Sequence, residues 1–139
     1  MGVVASDDQP LLGLLSMILP CIASGNRVVA VPSLKAALIV ADFYQLLDTS
    51  DVPGGVINLV TGVPSELATV LAAHDDVAAI WAVGPVDECE QIKKESAGNL
   101  KSVWTSDGKS PDWYDSQAEG SSWLERATQV KNIWVPYGE

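Results

Sequence analysis

Basic residues are scarce in this chain: eight Lys and Arg stand against eighteen Asp and Glu, for a net charge of −10. A surface of that sign repels nucleic acid and anionic lipid, and a nucleotide would need a local basic pocket. Neither nucleic acid nor a membrane is an expected partner. Cysteine is nearly absent too. Cys21 and Cys89 form neither a CxxC pair nor a disulfide framework, which reads as a reducing, cytoplasmic setting. The single histidine, His74, precedes Asp75 and Asp76, but a metal site needs three or four convergent ligands. His74 therefore reads as a surface-loop residue and no metal is expected. Long apolar runs are missing as well. The longest, 10–23, is broken by Gly13, Ser16 and Pro20 and is too short to cross a bilayer. No basic residue precedes it, as one would in a signal peptide.

What is present is a chain of 139 residues, 47% hydrophobic, enough for one domain with a buried core. Strand and helix patterns alternate almost without loops. Apolar runs at 2–5, 27–31, 56–60, 77–83 and 100–105 read as strands, with helices at 10–23, 34–47, 65–73 and 86–97. Continuous apolar strands, each followed by a helix, imply a parallel sheet covered on both faces with right-handed crossovers. The expected fold is α/β: a Rossmann-like, mostly parallel five-stranded sheet with helices on both faces. Residues 106–122 are polar and turn-rich, a connector. Residues 123–127 make a helical turn, and TQVKNIWV (128–135) reads as a peripheral strand. The chain thus divides into a Rossmann-like domain (1–105), a connector (106–122) and a C-terminal unit (123–139). Met1-Gly2 runs straight into the first strand, which suggests an excised or truncated module.

Six phrases in order carry a resemblance: GVVASDDQPLL, PCIASGNRVVAVPS, GGVINLVTG, HDDVAAIWAVG, NLKSVWTSDGKSP and LERATQVKNIWVP. Their order and spacing resemble the cofactor domain of the aldehyde dehydrogenase superfamily, and the last resembles its C-terminal oligomerisation strand. Where the superfamily inserts its catalytic domain after GKSP, this chain has only the short connector. That jump resembles the shortened, degenerate second module of the two-module family 16 aldehyde dehydrogenases.

The resemblance carries site positions over one by one. The turn matching AVPSL reads like KPSE in the superfamily, whose Lys and Glu hold the ribose hydroxyls of the cofactor. Here those two positions are Val31 and Leu34, and only Pro32 and Ser33 remain. The junction that reads like FTGS, whose amides meet the pyrophosphate, is Ala82-Val83-Gly84-Pro85. Pro85 removes an N–H, and Asp87, Glu88 and Glu90 load the following turn with negative charge. Gly62 and Gly84 survive as remnants. Asp8 stands at the position of the oxyanion-hole Asn, and an ionised carboxylate cannot donate. The general-base Glu falls on Thr105 or Ser106, depending on one gap, and neither hydroxyl is a base near neutral pH. Asp107 reads as a turn former before Gly108. The nucleophilic cysteine lies in the missing segment. Cys21 has apolar surroundings, and Cys89 is flanked by Glu88 and Glu90, which disfavour a thiolate.

The resemblance therefore implies a non-catalytic module that serves assembly or scaffolding, with no catalytic residue and no bound cofactor. Two alternatives stand beside it: a dinucleotide-binding module holding NAD(P) in an altered pose, and a structural part of an aldehyde dehydrogenase whose chemistry lies upstream. The terminal strand implies a homo-oligomer, a dimer, or docking onto the catalytic module of the parent protein. Its interface residues are Thr128, Val130, Asn132, Ile133, Trp134, Val135 and Pro136. Trp81 and Trp104 are expected in the core, while Trp123 and Trp134 fit an interface or the chain's own sheet equally.

Overall fold

The computed structural model describes residues 1–130 and 132–137. Five short strands form one parallel sheet in the order β3-β2-β1-β4-β5: β1 (Gly2–Val4), β2 (Val28–Val31), β3 (Ile57–Leu59), β4 (Ala79–Ala82) and β5 (Ser102–Thr105). The helices are α1 (Pro10–Ala23), α2 (Ala37–Asp48, entered through a 3-10 turn at Leu34–Ala36), α3 (Pro64–Ala73), α4 (Val86–Glu95) and α5 (Ser121–Arg126).

Period-two alternation sorts the strand side chains onto two faces. Val3, Ala5, Val28, Ala30 and Trp81 pack under α1, α2 and α5. Val4, Val31, Ile80 and Ala82 meet Ala68, Ala72 and Ile92 of α3 and α4 on the other face. Both faces being covered, the strands are apolar throughout, as the sequence pattern requires. Between the ends of α1 and β2, Gly25 sits at φ 80°, and its N–H donates to the Ile22 carbonyl at 2.9 Å. That is a left-handed helix stop only glycine adopts freely.

The segment 106–122, read as a polar connector, contributes to the core. Trp113 is 3% exposed and its indole lies against Gly13 of α1. An added Cβ at Gly13 would sit 2.7 Å from the indole nitrogen, so the small residue in the helix is what admits the ring. Trp123 of α5, 5% exposed, lies among Trp81, Trp104 and Trp113 with centroids 5.3, 4.8 and 5.5 Å away. The Arg126 guanidinium stacks on Trp104 and Trp123. Asn26 Nδ2 closes this corner by donating to the carbonyls of Cys21 and Ala127. Trp123 thus belongs to the chain's own sheet.

The strand expected at 128–135 is not seen among the described residues: 128–130 and 132–137 belong to no strand. Lys131, Gly138 and Glu139 lie outside the described residues. A strand exists only as part of a ladder, and local propensity supplies no partner. The apolar side chains of the segment are left in solvent, with Trp134 93% exposed and Val130 89%.

Candidate functional site

The strand order reverses direction at β1. The chain leaves β1 into α1 on one face and β4 into α4 on the other, so the loops part and leave a crevice at the carboxyl ends of the strands. A cleft of about 510 Å³ opens there. Ala5, Ser6, Asp7 and Asp8 line it from β1, Val63 to Ser65 from the start of α3, and Val83 to Pro85 with Glu88 from the start of α4. Leu34, Gly108 and Ser110 complete the wall. The fold thus brings Asp8, Gly84 and Leu34 to one place.

Its electrostatics run one way. Asp7, Asp8 and Glu88 are the charged lining residues; among the described residues no Lys or Arg lines the cleft itself, and Lys35 pairs with Asp7 at its edge. The N-termini of α3 and α4 point their dipoles here, but the carboxylates offset them. Glu88 and Asp87 occupy the first turn of α4, and Pro85 is its N-cap without a side-chain cap.

Two groups of polar atoms at the cleft are partnered within the protein, one around Asp7 and one around Gly84. Ser33 is buried, and its hydroxyl donates to Asp7 Oδ1 while accepting from the Lys35 N–H at 3.1 Å. Lys35 Nζ lies 3.2 Å from Asp7 Oδ2. The Ser33 hydroxyl first, and Lys35 second, hold the Asp7 carboxyl below its ordinary value. Both charged groups are more than half exposed, so solvent screens the pair. Val31 is buried and Leu34 is exposed at the rim, while Pro32 is buried in the turn. The turn keeps its shape, and its polar atoms bind each other.

The β4–β5 end is closed in the same way. The Gly84 N–H donates to Ser106 Oγ at 3.2 Å, and Ser106 Oγ donates back to the Gly84 carbonyl at 3.4 Å. Thr105 Oγ1 donates to Asp107 Oδ1 at 2.7 Å, and Lys93 pairs with the same oxygen. Asp107 and Gly108 stand at φ 49° and 81°, with the Lys109 N–H returning to the Ser106 carbonyl at 3.0 Å. Asp107 is therefore a turn residue whose carboxylate is tied to a lysine. Gly62 lies outside the cleft lining, beside Leu67.

Neither thiol is placed as a nucleophile. Cys21 is buried in α1, donates to the Met17 carbonyl at 3.1 Å, and burial pushes it up to about 12. Cys89 is buried under the cleft floor with its sulfur 3.5 Å from the Gly84 carbonyl. His74 is exposed after α3, its Nδ1 accepting from the Asp76 N–H at 3.1 Å. No cluster of three His, Cys, Asp or Glu fit for a metal occurs among the described residues.

Sequence reasoning passed over Asp7 and Lys35. Strand register holds the signal: Val4 pairs with Val31, so residues three and four places beyond them meet above neighbouring strands. It also passed over Lys101, a buried lysine donating to the Leu71 and His74 carbonyls at 3.2 and 2.8 Å at the C-terminus of α3.

A nicotinamide dinucleotide asks this site for a ribose grip and for free donors at a pyrophosphate. The donor set does not fit. Val31 and Leu34, the positions onto which the resemblance carries the ribose grip, are apolar, the Gly84 amide is engaged by Ser106, and the charged lining residues are carboxylates.

Comparison with known proteins gives the same fold in a defined setting. The aldehyde dehydrogenase family profile matches residues 1–128. The 2-aminomuconic semialdehyde dehydrogenase of Mus musculus is 35% identical over 73% of this chain and 21% of its own length. The betaine aldehyde dehydrogenase of Bacillus subtilis is 31% identical over the same shares. Among solved structures, an aldehyde dehydrogenase of Pseudomonas syringae, complexed with NAD⁺ and octanal, superposes with TM-score 0.72 at 30% identity over 75% of this chain and 21% of that one. The chain spans about a fifth of the length of these relatives.

Proposed function

This chain belongs to the aldehyde dehydrogenase family, and we propose that it is a non-catalytic module of that family, serving assembly or scaffolding in the cytoplasm. The observation that carries this reading is the cleft at the strand ends: among the described residues its charged lining is Asp7, Asp8 and Glu88, the one lysine beside it is paired with Asp7, and its Gly84 amide is closed by Ser106. In this reading Asp8, Thr105 and Ser106 have left the chemistry, and no cofactor is held. The chain is the shortened second module of a two-module enzyme of family 16. The support is the direct passage from GKSP through a short connector to the closing segment. Assembly runs through the exposed side chains from Thr128 onward, with a second copy or with the catalytic module of the parent protein.

A second reading draws on the position of the cleft. A crevice at the switch point of a parallel sheet is where such folds take dinucleotides, and NAD(P) in an altered pose would use it. Thermal unfolding with and without NAD⁺ and NADP⁺ separates the two. A ligand at about a hundred times its dissociation constant adds roughly 2.7 kcal/mol, several degrees in Tm. The expected result is no shift. A saturable upward shift would replace the assembly reading with the cofactor-binding one.

A further inference from the structure

The cleft at the strand ends stays open although its ribose grip is gone, and its walls have a chemistry of their own. At about 510 Å³ it has the size of a small-molecule site. Leu34, Val63, Pro64, Val83 and Pro85 give it apolar walls. Leu34 is 58% exposed and Val63 49%, so apolar surface is open to whatever enters. Gly84 makes room for a charged group here. An added Cβ would stand 3.3 Å from Glu88 Oε2, so that carboxylate lies over the Gly84 backbone.

The carboxylates select the charge of a ligand, and their placement selects its shape. Asp7 is paired with Lys35, whereas Asp8 and Glu88 take part in no ion pair among the described residues. They come from different walls, Asp8 from the loop after β1 and Glu88 from the first turn of α4. A cleft with low-dielectric walls and charges of one sign concentrates the opposite ion. The acids do not gather round one point, since no set of three His, Cys, Asp or Glu fit for a metal occurs among the described residues. A bare cation would also leave the apolar walls unused, and a phosphate would be repelled. A cationic nitrogen on an apolar body uses both the walls and the charges.

We propose that the cleft binds an organic ammonium ion, its charge facing Asp8 and Glu88 and its apolar body against Leu34, Val63 and the prolines. The carboxylates accept charge-assisted hydrogen bonds from the nitrogen, and the apolar walls exclude water from the rest of the ligand. A free amine and the lysine side chain of another protein present the same chemistry. The inference takes the cleft as the proposed function leaves it, without a cofactor. A Tm shift with NAD⁺ would revise that reading, whereas failure of an amine to bind would overturn only this one.

The probe is n-butylammonium, titrated into isotope-labelled protein at near-physiological salt and followed by heteronuclear NMR, with n-butanol and potassium as references. Saturable shifts are expected at the cleft amides of Ser6, Asp8, Gly84 and Ser110, with a dissociation constant on the order of a millimolar for so small a ligand. Asp8→Asn with Glu88→Gln should weaken binding about tenfold or more. The charge-matched Glu90→Gln with Glu95→Gln, on α4 outside the cleft lining, should leave it unchanged. Leu34→Ala with Val63→Ala should reduce the preference for butylammonium over methylammonium. None of these side chains is fully buried, and unchanged shifts away from the cleft confirm that each variant folds. Equal losses from both glutamine-type pairs would reduce the effect to net charge and overturn the proposal. So would an equal response to potassium, an equal response to butanol, or shifts that never saturate. Lysine blocked at both its amino and carboxyl ends separates the two sources. Tighter binding than butylammonium would make a protein's lysine the ligand, and weaker binding a free amine.

Discussion

Asp7, Ser33 and Lys35 show how a binding turn becomes self-sufficient. Each strand end leaves polar groups that a ligand or the protein must partner, and here the protein's own side chains do so. Ser106 acts likewise on Gly84, so one of the two positions, Thr105 or Ser106, onto which the resemblance carries a general base works as a latch between β4 and β5. Cys21 gives a pH prediction at this scale. Its folded value is raised by burial from 9.0 to about 12, so the folded state keeps the thiol proton that the unfolded chain loses. The resulting stability is fully present below 9 and is lost as pH rises toward 12. Denaturant titrations across that window should show stability falling with pH, by up to about 1.4 kcal/mol per pH unit from this one group. Cys21→Ala should flatten the slope, whatever it does to absolute stability; an unchanged slope would mean the loss has another origin. Asp8 was legible in the sequence as a lost donor, because its change of residue type speaks for itself. The Asp7–Lys35 pair was not, because it depends on which turns sit side by side.

Among the elements, α5 has the largest consequence for its size. Six residues deliver Trp123 into a ring cluster formed by Trp81 of β4, Trp104 of β5 and Trp113 of the connecting segment. Aromatic pairs in edge and tilted geometry add to what burial alone contributes. Trp123→Ala is therefore expected to cost about 3–5 kcal/mol, read as a lowered denaturation midpoint with loss of near-UV ellipticity. A cost under about 1 kcal/mol would place the variant among surface substitutions and remove α5 from the core. The strands and the first four helices were readable because their signals are local: apolar runs, periodic helices, and glycines at their ends. Trp113 was not, since a Trp-Tyr pair in a polar stretch has no period to say which ring is buried, and Gly13 opposite Trp113 makes room for it.

At the scale of the whole molecule, the C-terminal segment is the outlier. Val130, Ile133, Trp134 and Val135 are exposed, with nothing among the described residues covering them. If they bind a second copy, light scattering should show a dimer at high concentration. Trp134→Ala or Val130→Lys should then return it to monomer with helix content and Tm unchanged. A monomer at every concentration would end the homodimer proposal, and variants that unfold the chain would assign the segment to its own core. By itself the sequence determined the alternation of apolar strands and helices, the parallel α/β class and the residue types at Asp8, Val31 and Leu34. These are properties of residue type and of neighbours along the chain. Only the tertiary structure decided that 106–127 closes the core, that Asp7 binds Ser33 and Lys35, and that Ser106 binds Gly84. It also decided that the described residues of 128–135, strand-like in pattern, belong to no strand. Each of these depends on contacts between residues distant in the chain, and a ladder or a ring cluster exists only when both partners are brought together.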